Sequence, residues 1–306
     1  MTSPLLSTQH SGLSTFSSAR SYAKINWTLD VLFKREDGFH ELRTIYQTVS
    51  LHDTLKFTAT DSRIEIVCGD SRVPCDETNL AFKAATMLRE SVSHDGGVRI
   101  EIDKRIPVAA GLGGGSSNAA VTLLALIRLW NKKPDDRDLV RIAATLAADV
   151  PFFLGGGTAL GVSRGEEVYP IEQAQAEHLL LVNPGFAVST RDAYGKLARL
   201  TRQESALNIP FTLLAAKGIS GLPLAARNDL EEAVLAAHPE IADVKRRLLS
   251  LGARHALMSG SGATVFGVFD NSQTIEQAES EVRAAGYWAE RVRTVDAREY
   301  QATIFQ

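Results

Sequence analysis

Cysteine is scarce in this chain, which carries Cys68 and Cys75 and no others. Two thiols cannot build a disulfide framework, and neither has the neighbouring Cys or His set that a metal site needs. Both are expected as reduced thiols of a cytoplasmic protein. Positive charge is not in excess: 33 Lys and Arg against 36 Asp and Glu give a net charge of -3. Nucleic-acid binding through bulk charge is thereby excluded, and an anionic ligand must be held by local donors. No apolar run is long enough to span a bilayer, so no membrane partner is expected. The stretch from Met1 to Ser18 lacks the Arg content of a transit peptide and the basic start and apolar middle of a signal peptide. It is read as a disordered extension, residues 1–18. Two common phosphate loops are missing too. No glycine run ends in Gly-Lys-Ser/Thr, and a third glycine after Gly111 and Gly113 would fall on Ser116, so neither a Walker A loop nor a dinucleotide fingerprint is present.

What is present is an ordinary globular composition, 44% hydrophobic and 23% charged over 306 residues, enough for two domains. The chain is organised around Pro107 to Ala120, Pro-Val-Ala-Ala-Gly-Leu-Gly-Gly-Gly-Ser-Ser-Asn-Ala-Ala. Val98 to Ile106 alternates like a half-buried strand, and Ala119 to Trp130 is rich in Ala, Leu and Ile like a buried helix. The four glycines at 111, 113, 114 and 115 permit left-handed angles and leave amides open to an anion. Ser116, Ser117 and Asn118 are expected as capping side chains at the helix start. The stretch is therefore read as a phosphate cradle rather than a linker. It has no lysine, so a cation must come from elsewhere.

Ala23, Ile25, Trp27, Leu29, Val31 and Phe33 share one face of a strand, with Lys24, Asn26, Thr28 and Asp30 on the other. The first face is expected in the core and the second on an accessible sheet surface, where Lys24 reads either as a solvated lysine or as a group reaching toward a phosphate or a reacting hydroxyl. Asp37-Gly38 marks a turn before Phe39-His40 and a strand from Leu42 to Leu51. Further strands are expected over Leu55 to Ala59 and Ile64 to Val67, then a helix capped by Thr78. A helix opening at Pro134-Asp135-Asp136 delivers Asp149 into an apolar turn, Ala-Asp-Val-Pro-Phe-Phe, where the carboxylate is either a cap or a functional group. Gly155 to Gly157 is read as a tight turn into a strand from Thr158 to Ser163.

The second half alternates strands with helices: a strand at Leu179 to Val182, helices entered at Ser189-Thr190, Asn228-Asp229 and Pro239, a small-residue turn from Met258 into a strand, then a helix from Thr274 to Ala285 and a strand near Trp288 to Val292. This order predicts a ferredoxin-like α+β domain. Residues 201–222 show no clear period and are read as a connection.

Three motifs in this order, Ala23-Lys24-Ile25-Asn26, Pro107 to Ala119 and Met258 to Val265, resemble those of the GHMP kinase superfamily. Asp37 to His40, Asp103 to Pro107, Ala148 to Phe153 and Asn228 to Glu231 look like the branch whose acceptor is a cytidyl-diphospho-methylerythritol, a non-mevalonate isoprenoid intermediate. The resemblance implies an α+β two-domain GHMP kinase fold, with an N-terminal ribosomal-protein-S5-like α/β sandwich over 19–170 holding the nucleotide. The ferredoxin-like domain, 171–306, would stand on the substrate side. It implies transfer of the ATP γ-phosphoryl group to the acceptor's 2-hydroxyl, with Lys24 and Asp149 as the catalytic pair. ATP would be held by Pro107, Val108, Ala109, Ala110, Gly111, Leu112, Gly113, Gly114, Gly115, Ser116 and Ser117, with the adenine near Asn79, Leu80 and Lys104. Mg2+ would be held mostly by phosphate and water. Asn26 and His40 would meet the acceptor, whose cytosine would stack between Phe39, where the family usually has Tyr, and Tyr194. A monomer or homodimer is expected. A sister kinase acting on homoserine, mevalonate or a sugar, and a non-catalytic ATP-binding regulator, remain alternatives.

Overall fold

The computed structural model describes residues 18–197 and 226–306. The expected extension, apart from Ser18, and the expected connection over 201–222 lie outside the described residues.

The alternation beginning at Ala23 belongs to a longer strand, β1 (Ala19–Lys34), paired antiparallel along its length with β2 (His40–Thr60). The Asp37-Gly38 turn joins them, with Gly38 at φ 86° and the Asp37 carboxylate accepting from the Phe39 amide. β2 is one strand where two were expected. Asp53, the polar residue that interrupts its apolar pattern, is fully buried. The far edge of β2 is shared by β5 (Thr158–Ser163) over residues 42–47 and by β4 (Gly97–Asp103) over residues 54–60. β3 (Ile64–Cys68) runs parallel to β4, and β6 (Glu167–Pro170) continues from β5.

The helices of this half are α1 (Leu80–Ser91), α2 (Gly114–Leu129), α3 (Asp136–Leu146) and the short α4 (Phe152–Gly155). α1 is capped by Asn79, whose Oδ1 accepts from the Ala81 amide at 2.8 Å, and not by Thr78, whose hydroxyl is taken by Asp76. Asp135 caps α3. α2 is apolar almost all round, so it is buried between its neighbours, with Ala119, Ala120, Leu123 and Leu126 fully enclosed.

In the second half, β7 (Leu179–Asn183) is followed by α5 (Thr190–Leu197), β8 (Arg227–Asn228), α6 (Glu231–Ala237) and α7 (Pro239–Ser250). β9 (His255–Met258), β10 (Val265–Val268), α8 (Ser272–Ala284) and β11 (Trp288–Val292) then close a sheet of order β11-β7-β10-β9. All its pairings are antiparallel, and two helical crossovers connect it, which is the ferredoxin-like arrangement. β8 leaves this half to pair in parallel with β1.

Two further findings differ from the sequence reading. The Lys24 face of β1 is not accessible: Lys24 is 3% exposed, Asn26 2%, Thr28 and Asp30 0%. The glycine loop and the turn after Met258 cover it, while the opposite face, with Ala23, Ile25 and Trp27, packs on the second sheet through an edge-to-face contact of Trp27 with Phe266. The other difference is α9 (Ala297–Thr303), which the sequence reading missed. It returns to the first half. Tyr300 is buried there beside Phe152 and Phe153, its hydroxyl donates to the Phe153 carbonyl, and Phe305 bridges Ala19. Among the described residues, no helix is long and apolar enough to cross a membrane.

Tyr300→Ala removes a ring that is 1% exposed together with its hydrogen bond to Phe153, and is expected to destabilise the protein by about 3–5 kcal/mol. Urea denaturation measures this; a loss below about 1 kcal/mol would mean that α9 is only loosely docked.

Candidate active site

α2 starts inside the glycine run. Gly113 is its N-cap at φ 70°, without a side-chain cap bond, and the Ser117 amide makes an intrahelical bond to the Gly113 carbonyl at 2.9 Å. The amides of Gly114, Gly115 and Ser116 thus precede the ladder and have no intrahelical acceptor. This corrects the expected cap. Ser116, Ser117 and Asn118 lie within the helix, and Ser117 and Asn118 turn inward: Ser21 Oγ donates to Ser117 Oγ at 2.8 Å, and the Asn118 amide nitrogen faces Ser21 Oγ, Asp53 Oδ2 and the Gly114 carbonyl. The open amides at the positive end of a helix form an anion cradle.

The loop is clamped from both sides. The Lys24 amide donates to the Leu112 carbonyl at 3.0 Å, the Thr264 amide to the Ala110 carbonyl at 3.2 Å, and Ser259 Oγ to the Gly111 carbonyl at 3.0 Å. Asn228 Nδ2 in turn holds the Met258 and Gly260 carbonyls. The three sequence motifs thus meet in one place. Pro107 and Val108 are half-buried and Ala109 is exposed with φ 52° at the outer end of the loop.

Lys24 Nζ lies beneath the loop. It donates to Asn26 Oδ1 at 2.7 Å and stands 3.5 Å from Asp149 Oδ2. Asn26 Nδ2 donates to Thr44 Oγ1 at 2.7 Å, so this amide is committed at both ends to protein groups. The Lys24 side chain is 4% exposed and that of Asp149 30%, so the pair is closed on the lysine side and open on the carboxylate side. Tyr46, which the sequence reading did not single out, donates to Asp149 Oδ1 at 3.0 Å. Burial first, and then the Asp149 charge, push its phenol well above the ordinary value of 10.0, so it stays protonated as a donor. An apolar-aromatic strand position gives no sign of this. The signal lies in register, which sets Tyr46 opposite Asn26.

On the expected adenine side, Leu80 lies beside the start of α2, while Asn79 is occupied by capping and by the Pro74 carbonyl. Lys104 Nζ is bound to buried Asp53 at 2.6 Å and packs against Gly114. On the acceptor side, His40 stacks on Tyr194 with centroids 5.3 Å apart, and the Arg164 guanidinium covers the Phe39 ring. Cytosine between Phe39 and Tyr194 therefore requires the imidazole to leave the Tyr194 face, because here the two rings bury each other. Burial, then Lys34, hold the His40 pKa below the ordinary 6.5, leaving a neutral ring at pH 7 with one donor and one acceptor nitrogen. A cavity of about 580 Å³ near His178 and Arg291 and one of about 280 Å³ near Asp192 and His238 include neither the Lys24–Asp149 pair nor the loop, so their size alone assigns them no chemistry.

Comparison with known proteins gives the same grouping. Residues 79–157 match the model of the GHMP kinases N terminal domain and residues 214–287 that of the GHMP kinases C terminal. The chain is 43% identical over 278 residues to the 4-diphosphocytidyl-2-C-methyl-D-erythritol kinase of Syntrophus aciditrophicus, covering 90% of this chain and 98% of that one. It is 40% identical over 274 residues to the Geobacter sulfurreducens protein of the same name, covering 89% and 97%. Among solved structures it is similar to a 4-(cytidine 5'-diphospho)-2C-methyl-D-erythritol kinase, with TM-score 0.76, 35% identity and coverage of 91% and 99%. A homoserine kinase from Cytophaga hutchinsonii, at 21% identity and TM-score 0.68 with coverage of 95% and 97%, shares the fold.

Gly111→Ala would place a Cβ 2.1 Å from the Ser259 carbonyl at φ 77°, whereas Gly38→Ala, at φ 86°, meets open space. Both are expected to lose the left-handed strain of about 1–2 kcal/mol, and Gly111→Ala measurably more. Equal losses in urea denaturation would mean that the loop does not lie tight against the Ser259 turn.

Proposed function

The chain belongs to the GHMP kinases, and within them to the family of 4-diphosphocytidyl-2-C-methyl-D-erythritol kinases; from that membership we propose that it transfers the ATP γ-phosphoryl group to the 2-hydroxyl of 4-(cytidine 5'-diphospho)-2-C-methyl-D-erythritol. The observation that carries the mechanism is the Lys24–Asp149 pair, closed on one side and open on the other, below a loop of unpaired amides. Residues 19–170 would hold the nucleotide and residues 171–306 the substrate side.

Phosphoryl transfer asks of a protein in-line positioning and neutralisation of charge. The amides of Gly114 to Ser116 receive ATP phosphate oxygens. The acceptor oxygen bonds to the γ-phosphorus, the bond from that phosphorus to the β,γ-bridging oxygen breaks, and ADP departs with the electron pair. The hydroxyl proton passes to Asp149, whose open side faces the reactants. Lys24, 3.5 Å from Asp149, stabilises the developing alkoxide. Among the described residues, no group of three or more His, Cys, Asp or Glu is set to hold a metal. A Mg2+ arriving with the nucleotide would be held mostly by phosphate and water, with the Ser116 hydroxyl as a protein oxygen, and it would neutralise phosphate charge. His40, neutral at pH 7, would read the cytosine edge after its imidazole leaves the Tyr194 face, with Tyr194 and Phe39 then as the stacking faces.

ADP release with Mg-ATP is expected from the cytidyl-diphospho-methylerythritol and not from methylerythritol phosphate, homoserine, mevalonate or galactose. Turnover of one of these others instead would reassign the acceptor, and tight ATP binding without turnover would favour the regulator. Asp149→Asn and Lys24→Ala are expected to lower kcat about 10²- to 10⁴-fold with ATP affinity little changed. Undiminished turnover in either variant removes that residue from the mechanism.

A further inference from the structure

We infer that Tyr46 is the positioning residue of this site: its hydroxyl holds Asp149 by one oxygen and reserves the other for the acceptor's proton.

The side chain is set with unusual care for a strand aromatic. Its ring stacks on Phe152 at 4.9 Å between centroids, and Lys24 Nζ lies 5.7 Å from the ring centre. Two glycines make room for it. A Cβ on Gly161 would come within 2.5 Å of the Tyr46 ring, and one on Gly165 within 2.4 Å of its hydroxyl. Ring and hydroxyl together therefore brace the turn from Asp149 to Phe152 at both ends.

The hydroxyl has one hydrogen and two acceptors in reach, Asp149 Oδ1 at 3.0 Å and the Gly165 carbonyl at 3.3 Å. A carboxylate is the stronger acceptor, so the hydrogen points at Asp149 while that residue is charged. Oδ1 is then engaged, and Oδ2, 3.5 Å from Lys24 Nζ, is the oxygen left for the reacting hydroxyl. Once Oδ2 has taken the proton, the carboxyl is neutral, and the Gly165 carbonyl becomes the competitive partner for the Tyr46 hydrogen. The hydroxyl thereby favours the charged state before transfer and lets it go afterwards, with no proton of its own exchanged. The charged and titratable groups around Tyr46 and Asp149 are Lys24 from β1, Glu166 from the β5–β6 turn and Tyr194 from α5.

Tyr46→Phe keeps the ring and deletes the donor. The expected result is a fall in kcat of about 10- to 100-fold, the size of a lost hydrogen bond to a charged group. KM for ATP stays within about twofold, because the hydroxyl does not touch the cradle. Replacing Tyr46 by 3-fluorotyrosine, which keeps a donor on a ring of nearly the same shape, is expected to hold kcat within about threefold of wild type, and it gives a second reading should the phenylalanine variant fold poorly. A phenylalanine variant with kcat within about threefold of wild type, or a 3-fluorotyrosine protein as impaired as the phenylalanine variant, overturns the inference. The inference rests on the kinase reading above. A wild-type protein that phosphorylates no acceptor sinks that reading, whereas an active wild type whose phenylalanine variant keeps its kcat sinks this one alone.

Discussion

A buried ammonium group governs this structure. Lys24 is enclosed by protein, and a cation taken out of water is tolerated only with partners of opposite charge or with strong acceptors close by. Asn26 Oδ1 and Asp149 supply them, and each then needs its own restraint. Thr44 holds Asn26 and Tyr46 holds Asp149, both from the strand paired to β1. Backbone must also pass close to the lysine: a Cβ on Gly113 would lie 3.0 Å from its Cγ, and one on Gly260 3.2 Å from its Nζ. The glycines of two motifs are thus fitted around the lysine of the third.

The second lysine at the loop makes the contrast clear. Lys104 is paired with Asp53, a carboxylate that is fully buried and also accepts from the Arg105 and Ile106 amides at 2.8 Å each. Its charge is spent internally, on fixing the entry to the loop. The partner of Lys24 is 30% exposed instead, so the Lys24–Asp149 pair is open to solvent on its acid side. The two Lys–Asp pairs differ in the exposure of the acid, which is buried in one and accessible in the other.

Much of the frame was legible in the chain because it depends on local pattern. The alternation from Ala23, the strand–glycine–helix order around Gly111, and the strand–helix succession after Leu179 each reflect nearest-neighbour periodicity. What was missed depends on pairing over distance. The polar face of β1 reads as solvated from its own residues and is buried by a loop some ninety positions later. The break at Asp53 looks like a strand end, yet the carboxylate is satisfied by Lys104 and two amides, and β2 runs on. Tyr46 has the look of any core aromatic until the register sets it beside Asn26. The Asp149 turn reads in sequence either as a cap or as a functional group; in the fold Pro151 stands at the N-cap of α4 while Asp149 is held by Tyr46 and Lys24, which depends on pairing over distance.

The return of the last segment to the first sheet sets a schedule for the nascent chain. Ser18 and Gln306 exchange backbone hydrogen bonds, Ala19 bridges Phe305, and Tyr300 braces the turn that carries Asp149. β8, too, is supplied to β1 from beyond residue 225. While the ribosome is still translating, the amino-terminal half has most of its strands and helices but neither its edge strand nor its closing helix. The turn that carries Asp149 therefore gains its brace from residues that follow the whole second half in the chain, and a chain lacking residues 297–306 loses that brace although Lys24, Asp149 and the glycine loop are all present.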